Sequence, residues 1–403
     1  MMNKSLRTLV LIWLGWAILL PAFQTWALMR FQPQPPDKAL GWTEEETLPG
    51  AQSKKIYLNE PFMNQQVAWD SEYYLSIATV GYADPAVYSC TVGGKKYSNS
   101  SAFMPLYPYL IWLAALPLRV FQLTPIATAT LAGVLISTLG ALAGALALYS
   151  LAQNKLGEPG ALRTAFYLLI FPTGLFLAQV YTEGLFVGLA FGSLAFLARK
   201  KVLPAALLAM LATLTRAVGV ALALPIALYA LQSLLEDRRL TRRVLVNFGL
   251  AAACVAVYLL WSYSEWGQAF KLVQETCFNR YSFNLEKSLE GWRYAWRDAQ
   301  RGYPQMTAYY LLEFGGLALG LVACLFMLRS YPYETLFSLA VILISVTSGV
   351  PRGMHRYVLT APVVFLFLGK LGKADAFDRL WTILSLLLLA VLSILFAANF
   401  WVG

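Results

Sequence analysis

Residues 1–28, "MMNKSLRTLVLIWLGWAILLPAFQTWAL", admit two readings that lead to different folds. A secretory signal has an apolar core of about 7–15 residues followed by a small-residue cleavage site. Here the apolar run extends from Leu9 to Leu28, and no such site follows. The stretch therefore reads as a first membrane-spanning helix, with Lys4 and Arg7 holding its start inside by the positive-inside rule.

The rest of the composition agrees. The chain has 403 residues, 59% hydrophobic and 13% charged, with a mean hydropathy of +0.58. Soluble domains carry roughly 25% charged residues. Apolar runs fall at 8–28, 103–122, 125–152, 161–179, 181–199, 202–216, 217–235, 243–264, 305–328, 333–350, 357–370 and 380–401. The fold class expected is an all-α polytopic membrane protein with about 11 transmembrane helices. Residues 1–403 make a single integral membrane domain. Its two long polar loops, 29–102 and 265–304, lie outside, and amphipathic helices are expected in the first of them.

Positive charge sets the orientation. The segments "ARKK" (198–201), "EDRRLTRR" (236–243) and "GKLGKADAFDR" (369–379) mark the inner side. The formal charge of +10 then belongs to cytoplasmic loops, and no nucleic-acid partner is implied. One inconsistency stands between residues 103 and 163. Placing "NKLGEPGALR" (154–163) inside requires an odd number of crossings, yet two apolar runs precede it. Either 103–122 does not fully cross, or 125–152 is two short helices, or that loop is outside. The C-terminus is external if the parity is odd.

Within the first loop, "AWDSEYYLSIATVGY" (68–82) is helix-compatible but too short and polar to span. As a helix it places Trp69, Tyr73, Ile77 and Val80 on one face, and Asp70, Tyr74 and Ala78 on another. That pattern suits an interfacial helix with Asp70 near its positive end. Three other segments put charge beside apolar sequence: Glu183 in "FPTGLFLAQVYTEGLF" (171–186), Arg216 in "LATLTRAVGVAL" (211–222), and Arg352, His355 and Arg356 in "SGVPRGMHRYVLTAPVVF" (348–365). Intramembrane charge is costly and marks candidate functional residues. All these positions fall at outer turns, so carboxylates and guanidiniums gather at one membrane face. Arginine suits a phosphate diester, and a neighbouring carboxylate could deprotonate a hydroxyl. Glu72 rivals Asp70 from two residues away.

Four cysteines and one histidine, with no CxxC, do not make a zinc site. Cys90 and Cys277 occupy the two external loops and can pair as a disulfide, since that compartment is oxidising. Asn99–Ser101 reads as a glycosylation triplet, meaningful only in a glycosylating host. The segment "KSLEGWRYAWRDAQRGYP" (287–304) is a second amphipathic external stretch, read as an interfacial helix over the core or as an acceptor-side cover.

These motifs, in this order, resemble a known family. "WDSEYYLSIATVGY" is similar to the WDxxxYxxIAxxGY signature of the PIG-V type mannosyltransferases, which add the second mannose to GPI anchors, and of their prokaryotic relatives. "SAFMPLYPYL" (101–110), "FPTGLFLAQVYTEGLF", "LTRAVG" and "MHRYVLTAPVVF" resemble the family's later elements. Departures are Met104 for a Phe, Gly184 for a Ser or Ala, and Ala217-Val218 for a Pro-containing pair.

The resemblance implies a GT-C fold and an inverting transferase. It would take a sugar, mannose by resemblance, from a polyprenyl-phosphate donor on the extracytoplasmic side of a prokaryotic plasma membrane. Asp70 matches the family's catalytic base. Arg216 and Arg356, with Arg352 or His355 as alternates, would hold the phosphate; Glu183 would orient sugar or acceptor; Trp69, Tyr74 and Tyr181 would line the substrate site. No cofactor or divalent metal is expected. The acceptor, a glycolipid or other hydroxyl compound, and any partner subunit are left open. A transporter or lipid flippase with a charged cavity is the alternative reading, and a non-catalytic subunit of a membrane complex a third.

Overall fold

The structure, a computed structural model, describes residues 4–31, 57–58 and 60–403. Positions 32–56 and 59 of the first long loop lie outside the described residues. The described residues are predominantly helical. Helix α1 (Lys4–Arg30) buries a stripe of Leu9, Trp16, Leu20 and Ala27, while Leu11, Ile18 and Leu19 point outward. Apolar side chains that face away from the core suit a helix surrounded by lipid. Among the described residues, six helical stretches are long and apolar enough to cross a membrane, and five apolar helices are shorter. This is an integral membrane protein.

The first loop carries α2 (Asp70–Thr79) and a hairpin, β1 (Ser89–Val92) with β2 (Lys95–Ser98), paired antiparallel with Ser89 opposite Ser98. Next come α3 (Leu106–Leu118) and α4 (Pro125–Ile170). Their contacts resolve the crossing ambiguity. The Tyr107 hydroxyl, at the start of α3, bonds to Gly133 O and Ser137 Oγ, and Ser137 Oγ donates to Tyr181 O beside the cavity described below. Lower on α4, Ser150 Oγ accepts from Arg199, and Glu158 accepts from Ser5 at the opposite end of the bundle. So α3 runs away from that opposite end and the start of α4 returns beside it. The pair is a hairpin, and only α4 carries the chain across.

At Gly157 (φ 69°, ψ 177°) α4 leaves helical geometry and turns back. The run expected at 161–179 is therefore the second limb of α4, ending at Ile170, followed by a buried irregular stretch with a 3-10 turn at Gly174–Leu177. The chain continues as α5 (Glu183–Ala198) and α6 (Val202–Thr215), a 3-10 segment (Ala217–Leu222), then α7 (Ala223–Asp237) and α8 (Arg242–Tyr263). The second loop holds α9 (Glu265–Cys277) and α10 (Leu285–Gln300). After it come α11 (Pro304–Met327), α12 (Pro332–Val346), the short α13 (Met354–Val358), α14 (Pro362–Leu371) and α15 (Asp375–Ala397).

Helices α4 and α5 pack at glycines. A Cβ on Gly184 would collide with the Ser137 backbone, and one on Gly140 would meet the Gly184 carbonyl. Close backbone approach at small residues is how membrane helices gain contact when lipid offers no hydrophobic drive. The last expected span, 380–401, is shorter than its apolar run. Helix α15 ends at Ala397, Asn399 takes a left-handed φ of 63°, and residues 400–403 fold back toward α2 and α13. Cys90 and Cys277 form a disulfide with a Cα–Cα distance of 6.3 Å, joining the hairpin of the first loop to the end of α9.

Candidate active site

A cavity of about 500 Å³ opens where the two long loops meet the helix ends. Pockets of roughly 300–1,000 Å³ are typical of small-molecule sites. One wall is aromatic and includes Tyr73, Tyr74, Phe103 and Phe278. The other is cationic, with Arg216, Arg280, Arg352 and Arg356.

Asp70 is the first residue of α2, and Trp69 before it sits at φ 55°, ψ −112°. Positive φ is uncommon for a bulky side chain and costs on the order of 1–3 kcal/mol. The conformation is held because Trp69 Nε1 donates to Phe400 O (3.2 Å), and the Trp69 ring packs edge-on against Trp401 with centroids 4.9 Å apart. The Asp70 backbone N–H donates to the Tyr181 hydroxyl (3.2 Å), which itself donates to Ala68 O (3.2 Å). Tyr181 is thus behind the cavity, bracing the turn that presents Asp70. The buried face of α2 is Ser71, Tyr74, Leu75 and Ala78. Tyr74 packs against Phe103 and Tyr107, whereas Val80 is exposed, so α2 docks on the bundle by its Tyr74 side.

Four segments distant in sequence meet here. Arg356 Nη1 lies 3.2 Å from Asp70 Oδ2, and Arg356 Nε lies 3.3 Å from Glu183 Oε1. Glu183, at the start of α5, is fully buried and also pairs with Arg216. Arg216 ends α6 and donates to Thr182 Oγ1 (3.1 Å). Fully buried carboxylates are retained where their partners compensate the lost hydration, and Glu183 has two guanidiniums. Trp69, Asp70, Tyr74, Arg216, Arg352 and Arg356 line the cavity, and Glu183 stands directly behind two of its arginines.

His355 faces away from the cavity. Its Nδ1 is 2.9 Å from Glu313 Oε2, and its Nε2 is 2.7 Å from Val402 O. Both neighbours only accept hydrogen bonds, so a doubly protonated ring satisfies them. Burial alone would lower the His355 pKa, but the Glu313 carboxylate and the Val402 carbonyl outweigh it and raise it. Among the described residues, no group of three or more His, Cys, Asp or Glu is placed to hold a metal ion.

Arg280 and Trp401 belong to no motif, and Tyr357, inside "MHRYVLTAPVVF", carries no charge to single it out. Arg280, just after the disulfide, donates to Ser348 Oγ (3.2 Å), Val350 O (3.2 Å) and Arg352 O (2.6 Å), tying the second loop to the 348–352 turn. Tyr357 lies under three guanidiniums, those of Arg216 (5.3 Å), Arg280 (5.5 Å) and Arg356 (5.6 Å). Burial would raise its phenol pKa, but Arg280, Arg356 and Arg216 bring it below the ordinary value. Trp401 enters from the fold-back that the apolar run of α15 had concealed. Asn99 also borders the cavity, so a glycan attached there would compete for that space. Tyr57, on the aromatic side, donates to Asp84; burial first, then that carboxylate, pushes its pKa up to about 12.

Fold and site define a polytopic helical membrane protein with an arginine-rich, carboxylate-bearing cavity at one end of its bundle. Residues 18–282 match the family model described as mannosyltransferase (PIG-V), so the chain belongs to that family and is a membrane glycosyltransferase. The match contains Asp70, Glu183, Arg216 and Arg280, and stops before Arg352 and Arg356. No curated protein matches the chain. Solved structures similar to it include ArnT from Cupriavidus metallidurans bound to undecaprenyl phosphate, at 15% identity and a TM-score of 0.47, covering 86% of this chain and 72% of that one. Another is the oligosaccharyltransferase AglB from Archaeoglobus fulgidus in complex with an inhibitory peptide and a dolichol-phosphate, at 14% identity and a TM-score of 0.43. It covers 97% of this chain, which spans 56% of AglB's length.

Proposed function

We propose that the protein is a GT-C transferase that moves mannose from a polyprenyl-phosphate carrier to a hydroxyl acceptor. The observation that carries this reading is the convergence of Asp70, Glu183, Arg216 and Arg356 on one cavity. Four arginines line that cavity, against Asp70 and Glu72 on its wall and Glu183 behind it, leaving one surplus positive formal charge. Such a site favours an anion.

In this reading the carrier phosphate lies against Arg216 and Arg356, with Arg352 beside them. Asp70 accepts the proton of the acceptor hydroxyl. The acceptor oxygen attacks the anomeric carbon, and the bond from that carbon to the phosphate oxygen breaks with its electron pair on the departing polyprenyl phosphate. A single displacement inverts the anomeric centre. The leaving phosphate needs electrostatic holding more than protonation, which the guanidiniums supply. Arg356 pairs with Asp70 when no phosphate is bound and turns to the phosphate when it arrives. No step uses a metal.

The basic segments Arg199–Lys201, Arg238–Arg243 and Lys370–Lys373 stand at the bundle end opposite the cavity. By the positive-inside rule the cavity then faces the extracytoplasmic side, and the compact chain with short inner loops favours a prokaryotic plasma membrane. The test is to incubate the purified chain with radiolabelled polyprenyl-phosphate-mannose, a panel of glycolipid acceptors and a chelator. Transfer of label to an acceptor supports the reading. Movement of sugar or lipid across a vesicle membrane without transfer would replace it with a transporter.

A further inference from the structure

Glu313 lies inside α11, fully buried, and belongs to none of the recognised motifs. Its carboxylate is saturated. Oε1 accepts from the Gly353 backbone N–H and the Tyr309 hydroxyl. Oε2 accepts from the His355 backbone N–H (3.2 Å) and lies 2.9 Å from His355 Nδ1. Two of these donors are peptide groups of the turn that opens α13, and Arg356 is the next residue. Gly353 holds that turn at φ 84°.

The same carboxylate reaches the opposite wall. The Tyr309 hydroxyl, bound to Glu313, accepts from the Trp401 indole N–H (3.0 Å), while His355 Nε2 faces Val402 O. Trp401 borders the cavity and packs on Trp69, the residue before Asp70. One buried group therefore fixes the backbone that carries Arg356 and, through Tyr309, the Trp401 ring that packs on Trp69. An apolar residue would orphan two peptide N–H groups, and a glutamine would offer one oxygen where four donors converge.

We propose that Glu313 is a positioning residue of the transfer site, holding Arg356 where the carrier phosphate binds. This rests on the reading that Arg356 meets that phosphate. The test measures the affinity of the detergent-purified full chain for farnesyl phosphate by calorimetry, in wild type, Glu313→Gln, Arg356→Gln and the double variant. Each single change is expected to weaken binding about tenfold or more, and the double variant to bind no more weakly than Arg356→Gln alone. A residue acting through another shows such coupling, whereas a general packing role adds independently. Wild-type affinity in Glu313→Gln, or a double variant losing the product of both single effects, overturns the proposal. Where Glu313→Gln does not fold, His355→Gln replaces it, with severalfold weakening and the same coupling expected and no weakening overturning it. Unchanged affinity in Arg356→Gln alone would overturn the phosphate reading as well, which separates the two failures.

Discussion

Arg356 bridges two carboxylates, lying 3.2 Å from Asp70 at the start of α2 and 3.3 Å from Glu183 at the start of α5. One side chain thus joins the first long loop to the helical core. The Arg356 guanidinium packs over the adjoining rings of Phe176 (5.3 Å) and Tyr181 (5.4 Å), which limits where it can move when a substrate displaces one partner.

Glu183→Gln leaves Arg216 and Arg356 buried without their shared carboxylate. Removing one partner of a buried ion pair costs about 3–5 kcal/mol. A lower Tm in detergent is expected, with sugar transfer reduced by roughly 100-fold or more, the scale of losing an electrostatic group at a reacting centre. Wild-type stability would show that the two arginines do not depend on Glu183.

Gly184→Ala tests why this chain departs from its family's usual Ser or Ala. The added methyl would strike the Ser137 backbone and force α4 and α5 apart. Overpacking of this kind costs roughly 1–3 kcal/mol. A fall in Tm is expected, with a loss of activity because Glu183 is the adjacent residue. An unchanged Tm would show that α4 and α5 separate at no cost.

His355 has its pKa raised by Glu313 and the Val402 carbonyl against the effect of burial. A raised folded-state pKa means the stabilisation is complete below the ordinary imidazole value of about 6.5 and is lost as pH climbs through the folded value. The Tm gap between wild type and His355→Gln is therefore expected to be widest near pH 6 and to narrow as the pH is raised. A gap that widens with pH would mean that a neutral ring is the stabilising form.

Much of the site was legible because charge inside apolar sequence is rare enough to stand out. Glu183, Arg216 and Arg356 each interrupt or border an apolar run, Asp70 sits in an aromatic helix-compatible stretch of a polar loop, and they meet at one cavity. Arg280 was hidden among the many charges of a polar loop, where position decides its role and composition does not. Glu313 sits in an apolar run too, but its partners are backbone groups, a tyrosine four residues before it and a histidine some forty residues on, which leave no recognisable spacing pattern. Trp401 was absorbed into the hydrophobic tail of α15, since hydropathy does not register the reversal at Asn399. That 103–122 does not cross was one of three readings that the sequence left open, because a helix that returns beside its neighbour is as apolar as one that crosses. His355, read from its neighbours as a phosphate ligand, faces the Glu313 network behind Arg356.

The central claim is that Asp70 takes the acceptor's proton. The direct measurement is single-turnover transfer from radiolabelled polyprenyl-phosphate-mannose by wild type and Asp70→Asn, with farnesyl phosphate affinity measured on the same preparations. Loss of a general base lowers the rate roughly 100- to 10,000-fold, so transfer should fall by that order in Asp70→Asn while phosphate affinity is retained. Transfer undiminished by the substitution would contradict the account.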